Sequence, residues 1–158
     1  MQSSDILKLI GKPLSDEAVQ NWLTDSRKAF PSLEEGDYRT YIEYPDQGYC
    51  LIFTDEAMFL GIEHQPLGVG SLFLSGVFFY SEGLDGYSQF TGNLPEGLTF
   101  QNNSKSIKVS LGEVEWDRHS ANGELISERW KYGKFKFHVT YNNSGTIKLI
   151  SISEPDKT

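Results

Sequence analysis

The run Tyr38-Arg-Thr-Tyr-Ile-Glu-Tyr44, Pro45-Asp-Gln-Gly48, Tyr49-Cys-Leu-Ile-Phe53 decides the fold. Tyr38, Thr40, Ile42 and Tyr44 alternate with Arg39, Tyr41 and Glu43, the period of a strand whose two faces differ. Pro45, Asp46 and Gly48 supply turn chemistry: a fixed φ, a side chain that bonds its own backbone, and a residue free to take positive φ. The apolar run 49–53 returns as a second strand. One face of such a hairpin feeds a core, and the other carries residues that need a different explanation.

Working outward toward the C-terminus, Asp55 and Glu56 are expected in a turn and residues 58–63 as a third strand. Residues 64–70, with Pro66, Gly68 and Gly70, read as a loop. The strongly apolar segment 71–80 is expected as a central strand bent at Gly76. Glu82-Gly-Leu-Asp-Gly86 is a turn, and residues 87–90 form a short strand or an extended link. Toward the N-terminus, Ile6, Leu7, Leu9 and Ile10 have helical spacing, with Ser4 as a cap and Gly11 and Pro13 as the stop. A second helix opens at Ser15-Asp-Glu-Ala18, acids in its first turn, and its stripe is Ala18, Val19, Trp22, Leu23 and Ala29-Phe30, with Pro31 ending it.

The pattern restarts after Leu94-Pro-Glu-Gly-Leu98. Ser104 is placed as the cap of a helix reaching Leu111, with Ile107, Val109 and Leu111 facing inward and Gly112 ending it, and Trp116 and a polar loop around Asn122-Gly123 follow. Three strands follow, near 124–132, 135–141 and 146–153. Phe135, Phe137, Val139 and Tyr141 share a face, and Asn142-Asn-Ser-Gly145 is a hairpin loop. Residues 154–158 are expected to fray.

Ile6-Leu-Lys-Leu-Ile-Gly11 and Ile107-Lys-Val-Ser-Leu-Gly112 share the pattern I-x-x-x-[IL]-G, and each precedes a meander. The expectation is an α+β protein with an antiparallel sheet built from two helix-plus-β-meander halves, helices packed on one face. It is read as a single domain over residues 1–158, with pseudo-repeat halves near 1–90 and 91–153. The uncovered face is left for a partner.

Charge is distributed unevenly over this plan. Residues 40–104 contain no lysine or arginine and eight acids: Glu43, Asp46, Asp55, Glu56, Glu63, Glu82, Asp85 and Glu96. Their −8 equals the net charge of the whole chain, because the −2 of residues 1–39 and the +2 of residues 105–158 cancel. The same stretch is rich in Tyr, Phe, Leu and Gly, so it reads as a folded acidic surface rather than a tail. A pI near 4.8 argues against nucleic acid and anionic membranes as partners and favours a basic protein. Met1-Gln-Ser-Ser-Asp5 lacks the basic and apolar regions of a signal peptide, which with one cysteine points to a cytoplasmic chain. Cys50, within an apolar run, is expected as a buried structural thiol.

The phrase Leu94-Pro-Glu-Gly-Leu98, the segment Ser104 to Gly112, Arg129-Trp130-Lys-Tyr132 and the hairpin ending at Ile147-x-x-Ile150 resemble the repeat of small helix-plus-meander proteins. These include outer-membrane assembly lipoproteins of the SmpA/OmlA type and the β-lactamase inhibitor protein family. The layout is also similar to bacterial immunity proteins of polymorphic or contact-dependent toxin systems. No lipobox cysteine stands near the N-terminus, and Val114 replaces the usual Pro after Gly112.

No chemical signature competes with this resemblance. His64, His119 and His138 are not at metal-ligand spacing, and no P-loop, G-x-S-x-G or G-x-G-x-x-G occurs. The pairs Asp55/Glu56 and Glu113/Glu115 read as solvated turn acids, so neither an enzyme nor a cofactor is expected. The resemblance implies an inhibitor that occludes a cognate toxin with a basic, nuclease-like active site. Asp46, Glu82, Asp85 and Tyr87 are the expected contacts, with Asp55 and Glu56 behind them. A non-catalytic assembly adaptor is the alternative. The oligomeric state is not legible.

Overall fold

A computed structural model describes residues 1–155 and Lys157. The elements in chain order are α1 (Ser3–Leu7), α2 (Glu17–Asp25), β1 (Arg39–Tyr44), β2 (Tyr49–Asp55), α3 (Glu56–Leu60), β3 (Leu72–Tyr80), α4 (Ser104–Leu111), β4 (Trp116–His119), β5 (Leu125–Tyr132), β6 (Phe135–Tyr141) and β7 (Ile147–Ser153). The strands form one antiparallel seven-stranded sheet of order β1-β2-β3-β7-β6-β5-β4. Two meanders, β1 to β3 and β4 to β7, therefore meet at the β3–β7 pair, from Gly76 opposite Ser153 to Tyr80 opposite Leu149. The protein is α+β.

Alternation sorts the strand residues. Tyr49, Leu51 and Phe53 of β2, Val77 and Phe79 of β3, Phe137 and Val139 of β6 and Ile150 and Ile152 of β7 join one buried cluster. Ile6 of α1, Val19 and Leu23 of α2 and Ile107 of α4 join the same cluster. Fully burying each such side chain contributes about 1.5–3 kcal/mol. In each half a tryptophan ties helix to sheet: Trp22 Nε1 of α2 donates to the Tyr49 hydroxyl at 3.2 Å, and Trp130 Nε1 of β5 donates to the carbonyl of Gly112, just after α4, at 2.9 Å.

Several expectations give way. Residues 56–60 are helix, not strand: the Asp55 carboxylate accepts the Ala57 N–H at 2.9 Å and caps α3, which Gly61 ends in the left-handed conformation. Phe59 of α3 stacks on Phe73, the strand neighbour of core residues Leu72 and Leu74, so α3 lies against the face opposite the main core. Trp116 begins strand β4, in a segment where no strand was expected. Asn103, not Ser104, caps α4 through a reciprocal box with Ser106. Val109 is 85% exposed, so only Ile107 fills the inward role completely. The helix after Asp16 stops at Asp25 and leaves Phe30 exposed.

The bend expected at Gly76 is present as a bulge: Gly76 faces Ile52 while Leu74 faces Phe53, which leaves Ser75 as the extra residue. The C-terminal segment is tied down where it is described. The Glu154 N–H donates to Ser75, and the Lys157 N–H to Phe59. The expected fraying of Asp156 and Thr158 lies outside the described residues.

Candidate functional site

Period two places Arg39, Tyr41 and Glu43 of β1, Cys50 of β2, and Phe78 and Tyr80 of β3 on the sheet face opposite the main core. An aromatic row crosses the strands there. Tyr41 stacks on Phe78 with ring centroids 6.4 Å apart, Phe78 meets Tyr80 edge-on at 6.2 Å, and Tyr80 stacks on Tyr87 at 3.7 Å. Tyr41, Glu43, Cys50, Phe78 and Tyr80 line an open depression of about 480 Å³.

The segment after β3 folds back to complete the site. The Ser88 N–H donates to the Pro45 carbonyl at 2.9 Å, and the Thr91 N–H to Gln47 at 3.2 Å. Gly48 is indispensable to this docking. It sits at φ +79°, and a Cβ there would run into the Phe90 amide nitrogen. The return brings Tyr87 under Glu43, whose Oε1 accepts the phenol proton at 2.9 Å, and the Glu82 carboxylate accepts the Gln89 N–H at 2.8 Å. Glu43, Asp46, Glu82 and Asp85 are exposed at this one end of the sheet. Among the described residues no ion pair engages any of the four.

The electrostatics favour neutral groups inside the acidic rim. Burial, reinforced by the nearby Glu43 carboxylate, pushes the Cys50 thiol up to about 11 and the Tyr80 phenol up to about 12. Burial and the hydrogen bond to Glu43 push Tyr87 up as well. At neutral pH the site therefore offers phenols, ring faces and carboxylates. Its thiol stays protonated, which makes it a poor nucleophile. Among the described residues no group of three or more His, Cys, Asp or Glu side chains is arranged to hold a metal, and no helix is long and apolar enough to cross a membrane.

The expected contact residues separate. Asp46, Glu82 and Asp85 reach one end of the sheet. Asp55 does not. It is fully buried at the far end of β2, six residues and about 20 Å along the strand from Tyr49, where it caps α3. Glu56 and Glu63 follow it to that far end, Glu56 accepting a hydrogen bond from Gln65 at 3.0 Å. Glu96 accepts the Tyr132 hydroxyl in the other half. Tyr87 belongs to the site but is 5% exposed, so it is a support and not a contact. The exposed aromatic of the site is Tyr41, 49% exposed and absent from the expected set. Its parity within β1, opposite Ile42 and Tyr44, is the signal that marks it.

No protein-family model, curated protein or solved structure matches this chain.

Proposed function

We propose that the protein is a non-catalytic inhibitor, a cytoplasmic immunity protein that binds a cognate bacterial toxin domain and covers its basic, nuclease-like active site. One observation carries this reading: the return of residues 81–90 onto the 45–48 turn gathers Glu43, Asp46, Glu82 and Asp85 around an aromatic row whose exposed member is Tyr41, with no ion pair to any of the four among the described residues. Such a rim steers a positively charged partner through its field, and Tyr41 and Phe78 provide flat apolar area at the centre. A nuclease cleft that holds phosphates with Lys and Arg is the complementary shape and charge. Occlusion needs no ionised nucleophile, which fits the protonated thiol and phenols of the depression.

The test is the triple variant Asp46→Lys/Glu82→Lys/Asp85→Lys. The partner is first captured with the wild-type protein as bait and identified. The triple variant is expected to bind that partner about 100-fold more weakly, with a flattened salt dependence, and to lose protection of cells expressing it. A triple variant that binds and protects like the wild type overturns the acidic-rim mechanism.

A further inference from the structure

The outer face of the sheet changes sign in its second half. Residues directly opposed in an antiparallel ladder project to the same face. Trp116 of β4 faces Arg129 of β5, and Arg129 faces His138 of β6. Two residues along the strands on one side of this row lies Arg118, and on the other side Lys131, which faces Lys136. Trp130 and Phe137, their neighbours in sequence, belong to the main core, so this grid is on the opposite, outer face. Trp116, Arg118 and Lys131 are exposed. The Arg129 guanidinium sits over the Trp116 ring at 5.2 Å, and that ring lies 5.7 Å from His138. Glu115 accepts from Arg129 at 3.0 Å and from Lys136 at 2.7 Å, so two cations share one carboxylate. Among the described residues no ion pair engages Arg118 or Lys131. Lys131 directly opposite Lys136 sets like charge against like charge, which destabilises the sheet unless an anion lies over the pair.

We propose that this grid docks an extended, acidic segment of a protein partner, with the exposed Trp116 ring packed against it. The inference stands apart from the toxin-binding reading and uses none of Tyr41, Glu43, Asp46, Phe78, Glu82 or Asp85. Charge complementarity identifies the occupant, because Arg118, Arg129, Lys131 and Lys136 stand here against Glu115 alone. Spacing narrows it. Residues on one face of a strand recur about every 7 Å, so the three rows of the grid cover about 14 Å along the strands and about 10 Å across them. An extended peptide repeats its side chains on one face at the same interval of about 7 Å, so acids at alternate positions meet successive rows. Trp116 adds the kind of exposed ring that anchors protein contacts. A long polyanion such as RNA fits worse. Past the neutral strip of Leu149, Ser151 and Ser153 on β7 it would run toward the acids of the first half, on a chain whose net charge is −8.

The probe is a fluorescein-labelled peptide of alternating Glu and Gly, titrated by fluorescence anisotropy over a salt series, with a Lys-Gly peptide and an oligothymidylate as comparisons. The wild type is expected to bind the acidic peptide more tightly than either comparison, and more weakly as salt rises. Arg118→Glu/Lys131→Glu is expected to weaken binding about tenfold or more. Both side chains are exposed, and Lys131→Glu sets opposite charges across from each other, so the double variant is expected to melt no lower than the wild type. If it melts early, Lys131→Glu alone decides the matter, with an expected loss of about threefold or more. Saturating unlabelled peptide is expected to reduce acrylamide quenching of the wild-type tryptophan fluorescence, and to leave it unchanged in Trp116→Phe. The proposal is overturned by a wild type that binds the Glu-Gly peptide no better than the Lys-Gly peptide, or by charge variants that stay folded and bind like the wild type. Tryptophan quenching that ignores the peptide, or tighter binding of the oligothymidylate, overturns it equally. None of these outcomes bears on the triple-lysine test.

Discussion

The two meanders share a sheet but use their carboxylates in opposite ways. In the β4–β7 half each engaged acid is answered from within: Glu115 meets Arg129 at 3.0 Å and Lys136 at 2.7 Å, and Glu154 meets Lys134 at 3.3 Å and Lys157 at 2.8 Å. Glu128 lies buried beneath the start of α4, accepting from Ser104 at 2.5 Å and Tyr141 at 2.7 Å, with Lys108 at 3.3 Å. In the β1–β3 half, Glu43 and Glu82 accept hydrogen bonds from neutral donors, and Asp46 and Asp85 face solvent. Net charge alone hides this difference. The second half uses its engaged acids to hold the fold, whereas in the first half Asp55 caps α3 but Asp46 and Asp85 stay available to something outside it.

The contrast is broken most directly at Glu128. Glu128→Ala leaves the Tyr141 hydroxyl, the Ser104 hydroxyl and the Lys108 ammonium without their shared acceptor, and is expected to cost about 3 kcal/mol in urea denaturation. The corresponding variants of the first half, Asp46→Ala and Asp85→Ala, are expected to change stability by less than about 0.5 kcal/mol. If the two halves respond alike, the division between structural and available acids fails.

A smaller effect comes from His138, on the outer face of β6. Burial, with the Arg129 guanidinium nearby, holds its imidazole below the usual histidine range of 6.5, and its ring lies 5.7 Å from that of Trp116. The folded state therefore binds this proton less readily than the unfolded chain. Stability rises with pH through the window below 6.5 and is lost as pH falls toward the depressed folded value. The melting temperature is expected to drop between pH 6.5 and 5.5, and His138→Gln is expected to flatten that slope. Glu115 and Glu154 are held below their ordinary values, so their losses come at lower pH, under 4.5. Glu115 is drawn down chiefly by Lys136. Glu154 is drawn down by Lys157 and Lys134 against the opposing effect of burial. A slope that persists unchanged in the glutamine variant assigns the titration to another group.

How much of this was legible follows from where the information sits. The β1–β2 hairpin was readable because parity alone separates Ile42 and Tyr44 from Tyr41 and Glu43. The segment 56–60 was not, because Ala-Met-Phe-Leu fits a strand or a helix equally well. The decision belongs to the Asp55 cap, an acid buried where composition places acids outside. β4 escaped notice because Trp116-Asp-Arg-His has little to bury on an open-faced edge and so shows no alternation. The acids of the candidate site were visible as a gap in lysine and arginine. What sorts them into two ends of the sheet is the distant contact between residues 81–91 and the 45–48 turn, and no local pattern encodes a contact of that range. Only Gly48 leaves a trace of it, as a turn glycine whose missing side chain makes room for Phe90.

The least effect on stability, and the sharpest on accessibility, is expected at Cys50. The thiol is 2% exposed beneath Tyr80 and Tyr87, and burial raises it to about 11. Alkylation of the folded protein at neutral pH is therefore governed by opening of the residue 81–90 segment rather than by the thiolate population at equilibrium in the closed state. Tyr87→Ala removes both the stacked ring and the phenol that Glu43 accepts, and is expected to speed iodoacetamide labelling about tenfold or more. Trp116→Ala, which strips an aromatic from the same face in the other half, is expected to leave the rate unchanged. If both accelerate labelling equally, the thiol is reached by global unfolding, and the 81–90 segment is not the independently held flap that its few backbone bonds to the 45–48 turn imply.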